Sequence, residues 1–179
     1  MKSIIEQPAL LTALIIAATA VVTDLKSRTI PNALVVAGSV AGLCLNGWIG
    51  GGAGLLRSLL GGLGGFIVFL PFYLLRGMGG GDIKLMAALG FCLGLIAILQ
   101  TALVASIAGA VLAIVVAARQ GALSRTLSNT GRLLVSWITR GPRPSKELSL
   151  DNPKALKIPY ALPIAVGSFF IVISGTVKG

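Results

Sequence analysis

Five carboxylates stand in the 179-residue chain, Glu6, Asp24, Asp82, Glu147 and Asp151, and there is no histidine. Acid–base chemistry therefore falls to these acids or to Lys, Ser, Thr and Tyr. Cys44 and Cys92 are far apart and inside apolar runs, so neither a zinc site nor a CxxC redox pair can be assembled from them, and both read as packing residues. No metal and no cofactor is expected. Glu147 and Asp151 lie in a polar stretch and read as solvated. Asp24 and Asp82 adjoin long apolar runs, where a carboxylate is expensive and points to function. Asp24 closes one such run in Thr23-Asp24-Leu25-Lys26-Ser27-Arg28-Thr29-Ile30-Pro31-Asn32. Asp82 opens another in Gly79-Gly80-Gly81-Asp82-Ile83-Lys84-Leu85-Met86.

Two aspartates that share a proton can activate a water to attack an amide carbonyl: one carboxylate takes the proton while the other polarises the oxygen. That chemistry needs no metal, histidine or nucleophilic side chain. Each aspartate also has a purely structural reading. Asp24 can pair with Arg28 one turn on, and Asp82 can cap the helix that it opens, with Gly79–Gly81 supplying the turn before it. Lys84 reads, structurally, as a side chain snorkelling to an interface.

The elements that must position these residues follow from composition. Hydrophobic residues make up 55% of the chain and charged residues 11%, with 24 glycines and a formal charge of +10. Soluble domains carry about 25% charged residues, so the expected solvent is lipid. Leu85 to Ala118 has no charge across 34 positions; as helix that is ~51 Å against a ~30 Å hydrocarbon core, so it must fold back. Apolar runs at Ile4–Thr23, Ala33–Ile49, Leu55–Leu75, Ile83–Leu99, Thr101–Ala118 and Ile158–Val177 predict an all-α polytopic membrane protein of six transmembrane helices. The whole of 1–179 reads as a single membrane-embedded domain. Pro31 opens the second run, and Gly50-Gly51-Gly52 with Gly54 separates the second from the third.

Twelve cations fall in one set of connections, from Lys26 and Arg28 to Lys154 and Lys157, and only Lys2, Arg57 and Lys178 on the opposite side. Basic connections stay in the cytoplasm, which predicts both termini outside and both aspartates at the cytoplasmic ends of their helices. A cleaved signal peptide ending near Ala18-Thr19-Ala20 is the competing reading of the start. In the connection 119–157, Leu123, Leu127, Leu134, Val135, Trp137 and Ile138 share one helical face, opposite Arg125, Arg132 and Arg140. This predicts a basic amphipathic helix on anionic headgroups. The same interleaving argues against nucleic acid as a partner.

The paired context of the aspartates is more specific than either alone. Asp24 followed by Arg28-Thr29-Ile30-Pro31-Asn32, and Met78-Gly79-Gly80-Gly81-Asp82-Ile83-Lys84-Leu85 with Gly90 beyond it, resembles the type IV prepilin peptidases and archaeal preflagellin peptidases, membrane aspartyl proteases of the GxGD class. Ile158-Pro159-Tyr160-Ala161-Leu162-Pro163 is similar to the proline-rich start of that family's last helix, and reads equally well as a proline-marked helix start. The resemblance implies cleavage of a basic leader from prepilin-like substrates, which carry an apolar helix, at the cytoplasmic face of the inner membrane. Asp24 and Asp82 would be the catalytic pair. Gly79, Gly80, Gly81 and Lys84 would form the active-site loop, and Pro31, Asn32, Pro159 and Pro163 would support it. Larger members carry a domain with paired CxxC motifs, linked to N-methylation, where this chain has only Leu25 to Ile30, so methylation is not expected.

Two other readings use the same residues. A membrane proton relay through Asp24 and Asp82 would need polar groups continuing toward the opposite face, where Thr12, Thr19 and Gln100 are what the sequence offers. A presenilin-like protease cutting inside the bilayer would need deeper aspartates than these helix ends.

Overall fold

A computed structural model of the chain describes residues 8–121 and 159–175, with isolated positions at 123, 128, 131, 132, 139 and 141. The described elements are helices: α1 (Pro8–Ser27), α2 (Asn32–Leu74), α3 (Gly80–Leu93), α4 (Leu95–Arg119) and α5 (Ala161–Ile173). Three of them, α1, α2 and α4, are long and apolar enough to cross a membrane. Their outward faces carry bare apolar side chains, including Ile15, Trp48 and Ile96. Apolar surface on that scale needs lipid or a partner to cover it.

Two glycines fold the long apolar stretches back on themselves. Within α2, Gly51 has φ 56° and ψ −140°, a conformation that a Cβ disfavours. The chain reverses there, because Asn46 before the break and Ser58 after it both reach the carbonyl of Phe91. Gly94, at φ 82° and ψ 172°, does the same between α3 and α4; Met86 and Ile98, on either side of it, flank the same residue, Gly65.

This second reversal corrects the sequence reading, which ended the fourth run at Leu99 and began the fifth at Thr101. Gln100 and Thr101 look like a polar interruption, yet both lie inside α4. Thr101 is fully buried. A polar side chain does not end a helix, whereas a left-handed glycine does. Pro31 also shifts by one place: it is the extended residue before α2, which begins at Asn32.

The arms of α2 pack on α3 through a seam of small residues. Gly61 lies against Gly90 and Gly65 against Met86, so close that a methyl group on either would strike backbone. Small residues allow such approach between helices in lipid. Leu85, Met86, Leu89 and Leu93 of α3, with Phe69, Ile98 and Ile164, form the buried centre. α5 runs antiparallel to α4, with Gly167 against Thr101 and Ala105, and Tyr160 against Gly109. The basic amphipathic helix expected in 119–157 lies outside the described residues apart from the isolated positions above, as does the segment before Pro8.

Candidate active site

Asp24 lies in the last turn of α1 and Asp82 in the first turn of α3. The backbone explains why each helix stops where it does. After α1, Arg28 turns to φ 51° and its N–H donates to the Asp24 carbonyl at 2.8 Å. Before α3, Gly79 is extended, with φ −74° and ψ 148°. The helix begins at Gly80, and the Asp82 N–H donates to the Gly79 carbonyl at 3.2 Å. Gly79 is thus the cap residue and Asp82 the third helical residue, which corrects the reading of Asp82 as the cap, although its carboxylate accepts a hydrogen bond back from the Gly79 backbone.

Both carboxylates are half-buried and close enough that the charge of Asp24 acts on Asp82. α5 supplies the third wall. The Ala161 N–H donates to Asp24 Oδ2 at 3.4 Å, a long bond from the first turn of a helix whose backbone donors have no partner within the helix. The pairing of Asp24 with Arg28 is not made: among the described residues, Asp24 forms no ion pair.

The remaining predicted residues fall into place around this pair. Gly79 leaves room for the Asp82 carboxylate, since a Cβ there would sit 3.2 Å from Oδ2. Gly80 lies beside Tyr73, and Gly81 against Ile30 of the α1–α2 turn. Lys84 Nζ donates to Asn32 Oδ1 at 3.0 Å, which ties the start of α3 to the start of α2. That cross-link gives Lys84 a contact where sequence offered only snorkelling. Pro163 is fully buried near the start of α5, and Pro159 precedes that helix.

Tyr160 was not singled out from sequence. It packs edge-on against the buried Phe69, with centroids 6.1 Å apart at 88°, and is within electrostatic reach of Asp82. A lone aromatic before a proline-rich helix start carries no signal that separates a site residue from packing. The hydroxyls proposed for a proton relay are otherwise engaged: Thr12 donates to the Pro8 carbonyl and Thr19 to that of Ile15, each within α1.

Comparison with known proteins shows the family. The family model for the type IV leader peptidase family matches residues 10–114, which takes in both aspartates and the helices that carry them. The chain belongs to the type IV leader peptidase family. Two curated relatives, each named prepilin leader peptidase/N-methyltransferase, from Burkholderia pseudomallei strains 1026b and K96243, are 38% identical over 99 residues. Those matches cover 51% of this chain and 32% of the relatives, so the match takes in about a third of their length. No solved structure matches the chain. Family membership agrees with the resemblance carried by the two aspartate motifs, and the matched region ends within α4, before the basic connection.

Proposed function

We propose that this chain is a membrane-embedded aspartyl endopeptidase that removes the basic leader from prepilin-like proteins, using Asp24 and Asp82. The observation that carries the proposal is that two carboxylates 58 positions apart in sequence come within electrostatic reach of each other at one end of the bundle. A backbone N–H of a third helix lies beside them. Among the described residues no group of three or more His, Cys, Asp or Glu is clustered, and the chemistry offered is that of a carboxylate pair.

In that chemistry the ionised carboxylate takes a proton from water as the water oxygen bonds to the scissile carbonyl carbon. The protonated carboxyl gives its proton to the carbonyl oxygen, forming a neutral gem-diol. Proton transfer to the amide nitrogen then breaks the C–N bond, and the pair returns to one shared proton. The two groups act as a unit, so the roles belong to the pair.

The chain crosses the membrane six times in this reading, with the two arms of α2 counted separately. The basic residues beside the pair, Lys26, Arg28, Arg76 and Lys84, then put it at the cytoplasmic face of the inner membrane. The substrate presents its leader there and an apolar helix to the lipid-facing surface, and anionic headgroups neutralise the basic connection 119–157. Methyl transfer, the second half of the relatives' name, is not proposed, because α1 passes to α2 through only Arg28–Pro31.

Co-expression with a prepilin-like substrate, read as a gel shift, tests the proposal. Asp24→Ala and Asp82→Ala should each accumulate uncut substrate at normal protein levels, while Asp151→Ala cleaves normally. Normal processing by either of the first two variants would overturn it.

A further inference from the structure

The far end of α3, away from Asp82, is gripped by three side chains whose donors converge on its last carbonyls. Asn46, on the first arm of α2, donates from Nδ2 to the carbonyls of Phe91 at 2.9 Å and Cys92 at 3.2 Å. Ser58, on the second arm, donates from Oγ to the same Phe91 carbonyl at 2.6 Å. Its neighbour Arg57 donates from Nη2 to the Leu93 carbonyl at 3.3 Å and lies along Gly94. A helix leaves its last four carbonyls without partners. Here Gly94 N–H takes that of Gly90, and the three side chains take the rest.

Satisfying carbonyls at membrane depth is by itself a matter of stability. Two further observations give the clasp a role at the site. First, α3 has 14 residues and is one stiff rod, ~21 Å long, with Asp82 in its first turn and the clasp on its last. Second, α3 meets α2 at close range, with Gly61 against the Gly90 backbone, Gly65 against Met86 and Gly62 under the Phe91 ring, so a displacement of its clasped end is carried along the rod to Asp82 rather than taken up beside it.

We infer that Asn46, Arg57 and Ser58 are positioning residues, which set the height and rotation of α3 and so hold Asp82 in register with Asp24. This rests on the proposed role of Asp82. A one-residue slip of α3 would move its carboxylate by ~1.5 Å and turn it by ~100°, and misplacement by about 1 Å can cost ~100-fold in rate.

The test uses the full chain and a prepilin-like substrate, with kcat, KM, the pH–rate profile and thermal melting measured on each variant. Asn46→Leu and Arg57→Met should lower kcat by about 10–100-fold per folded molecule, with KM little changed and the pH–rate profile displaced, because the coupling of the two carboxylates depends on their separation. Arg57→Lys, which keeps a donor, should recover most of the rate. Ser58→Ala leaves Asn46 on the Phe91 carbonyl and is the variant chosen to fold; it should lose about 3–10-fold in kcat, and Ser58→Thr should restore it. If Ser58→Ala, or any folded variant of the other two, melts at lower temperature but keeps the wild-type kcat and pH profile, the clasp is structural only and the inference falls. Asp82→Asn is run alongside: if it still cleaves, the reading of the site fails first, whatever the clasp variants do.

Discussion

The turns at the two ends of the bundle solve one geometrical problem with different residues. The four turns that join α1, the two arms of α2, α3 and α4 each contain a residue with positive φ. At the end remote from the aspartates these are Gly51 and Gly94, at φ 56° and 82°. Beside the aspartates they are Arg28 and Arg76, at φ 51° and 58°. Glycine adopts such angles without strain, while a residue with a Cβ costs roughly 1–2 kcal/mol there. The far end is therefore relaxed and its polar side chains are bonded to backbone carbonyls. The site end keeps two strained arginines, and its carboxylates are met by backbone groups, Asp24 by the Ala161 N–H at 3.4 Å and Asp82 by Gly79. Backbone strain of this kind clusters at functional sites, and here both strained turns lie at the end that carries the aspartates.

The largest effect expected from breaking this contrast is chemical. Asp24→Asn and Asp82→Asn preserve shape and remove the acid–base function, so each should lower kcat by about 10²–10⁴-fold while the melting temperature stays close to wild type. A large fall in melting temperature for either would mean that the carboxylates belong with the structural polar groups of the far end. Equal loss for the single and double variants would show that the pair acts as one unit.

Much of the site end is legible in sequence because its signals are local. Asp24 with its basic turn and the Gly79–Asp82 string are contiguous, and apolar run length predicts helices that the structure contains. The far end is illegible for the opposite reason. Asn46, Arg57 and Ser58 find their partners 46, 36 and 33 positions away, and those partners are backbone carbonyls, which have no residue type to recognise. In sequence Arg57 reads as one of a few cations in an outer connection, yet it is half-buried against Gly94. Gly94 itself is one glycine among 24, and in sequence the polar residues Gln100 and Thr101 are the more visible interruption. The backbone angles, not the residue type, mark the break.

A second, smaller effect sharpens the account of the far end and its seam. A side chain at position 61 would meet the backbone of Gly90, which cannot move without displacing α3, whereas Gly52 has open space around it. Gly61→Val should destabilise by about 1–3 kcal/mol or more, seen as lower melting temperature in detergent. Gly52→Ala should be neutral or mildly stabilising. Equal behaviour of the two would mean that the close α2–α3 contact does not carry the packing.

The smallest effect bears directly on the contrast between the turns, and it runs against the usual direction of mutation. Arg28→Gly and Arg76→Gly place at the site end the residue that the far end already uses. Each should raise stability, by about 1 kcal/mol at most, offset in part by the loss of a cation near a helix C-terminus, at position 76 also by the loss of the interaction that Arg76 makes, and by glycine's greater freedom in the unfolded chain. The reciprocal change, Gly94→Ala, should destabilise by about 1–3 kcal/mol, because φ 82° with ψ 172° is a region that glycine alone occupies readily. Melting curves measured together on the three variants give the sign for each end. If the arginine variants also cleave more slowly despite greater stability, the charge is kept at that end at a cost in stability because the site needs it. If they melt lower than wild type, the left-handed turns are not strained and the asymmetry between the two ends disappears.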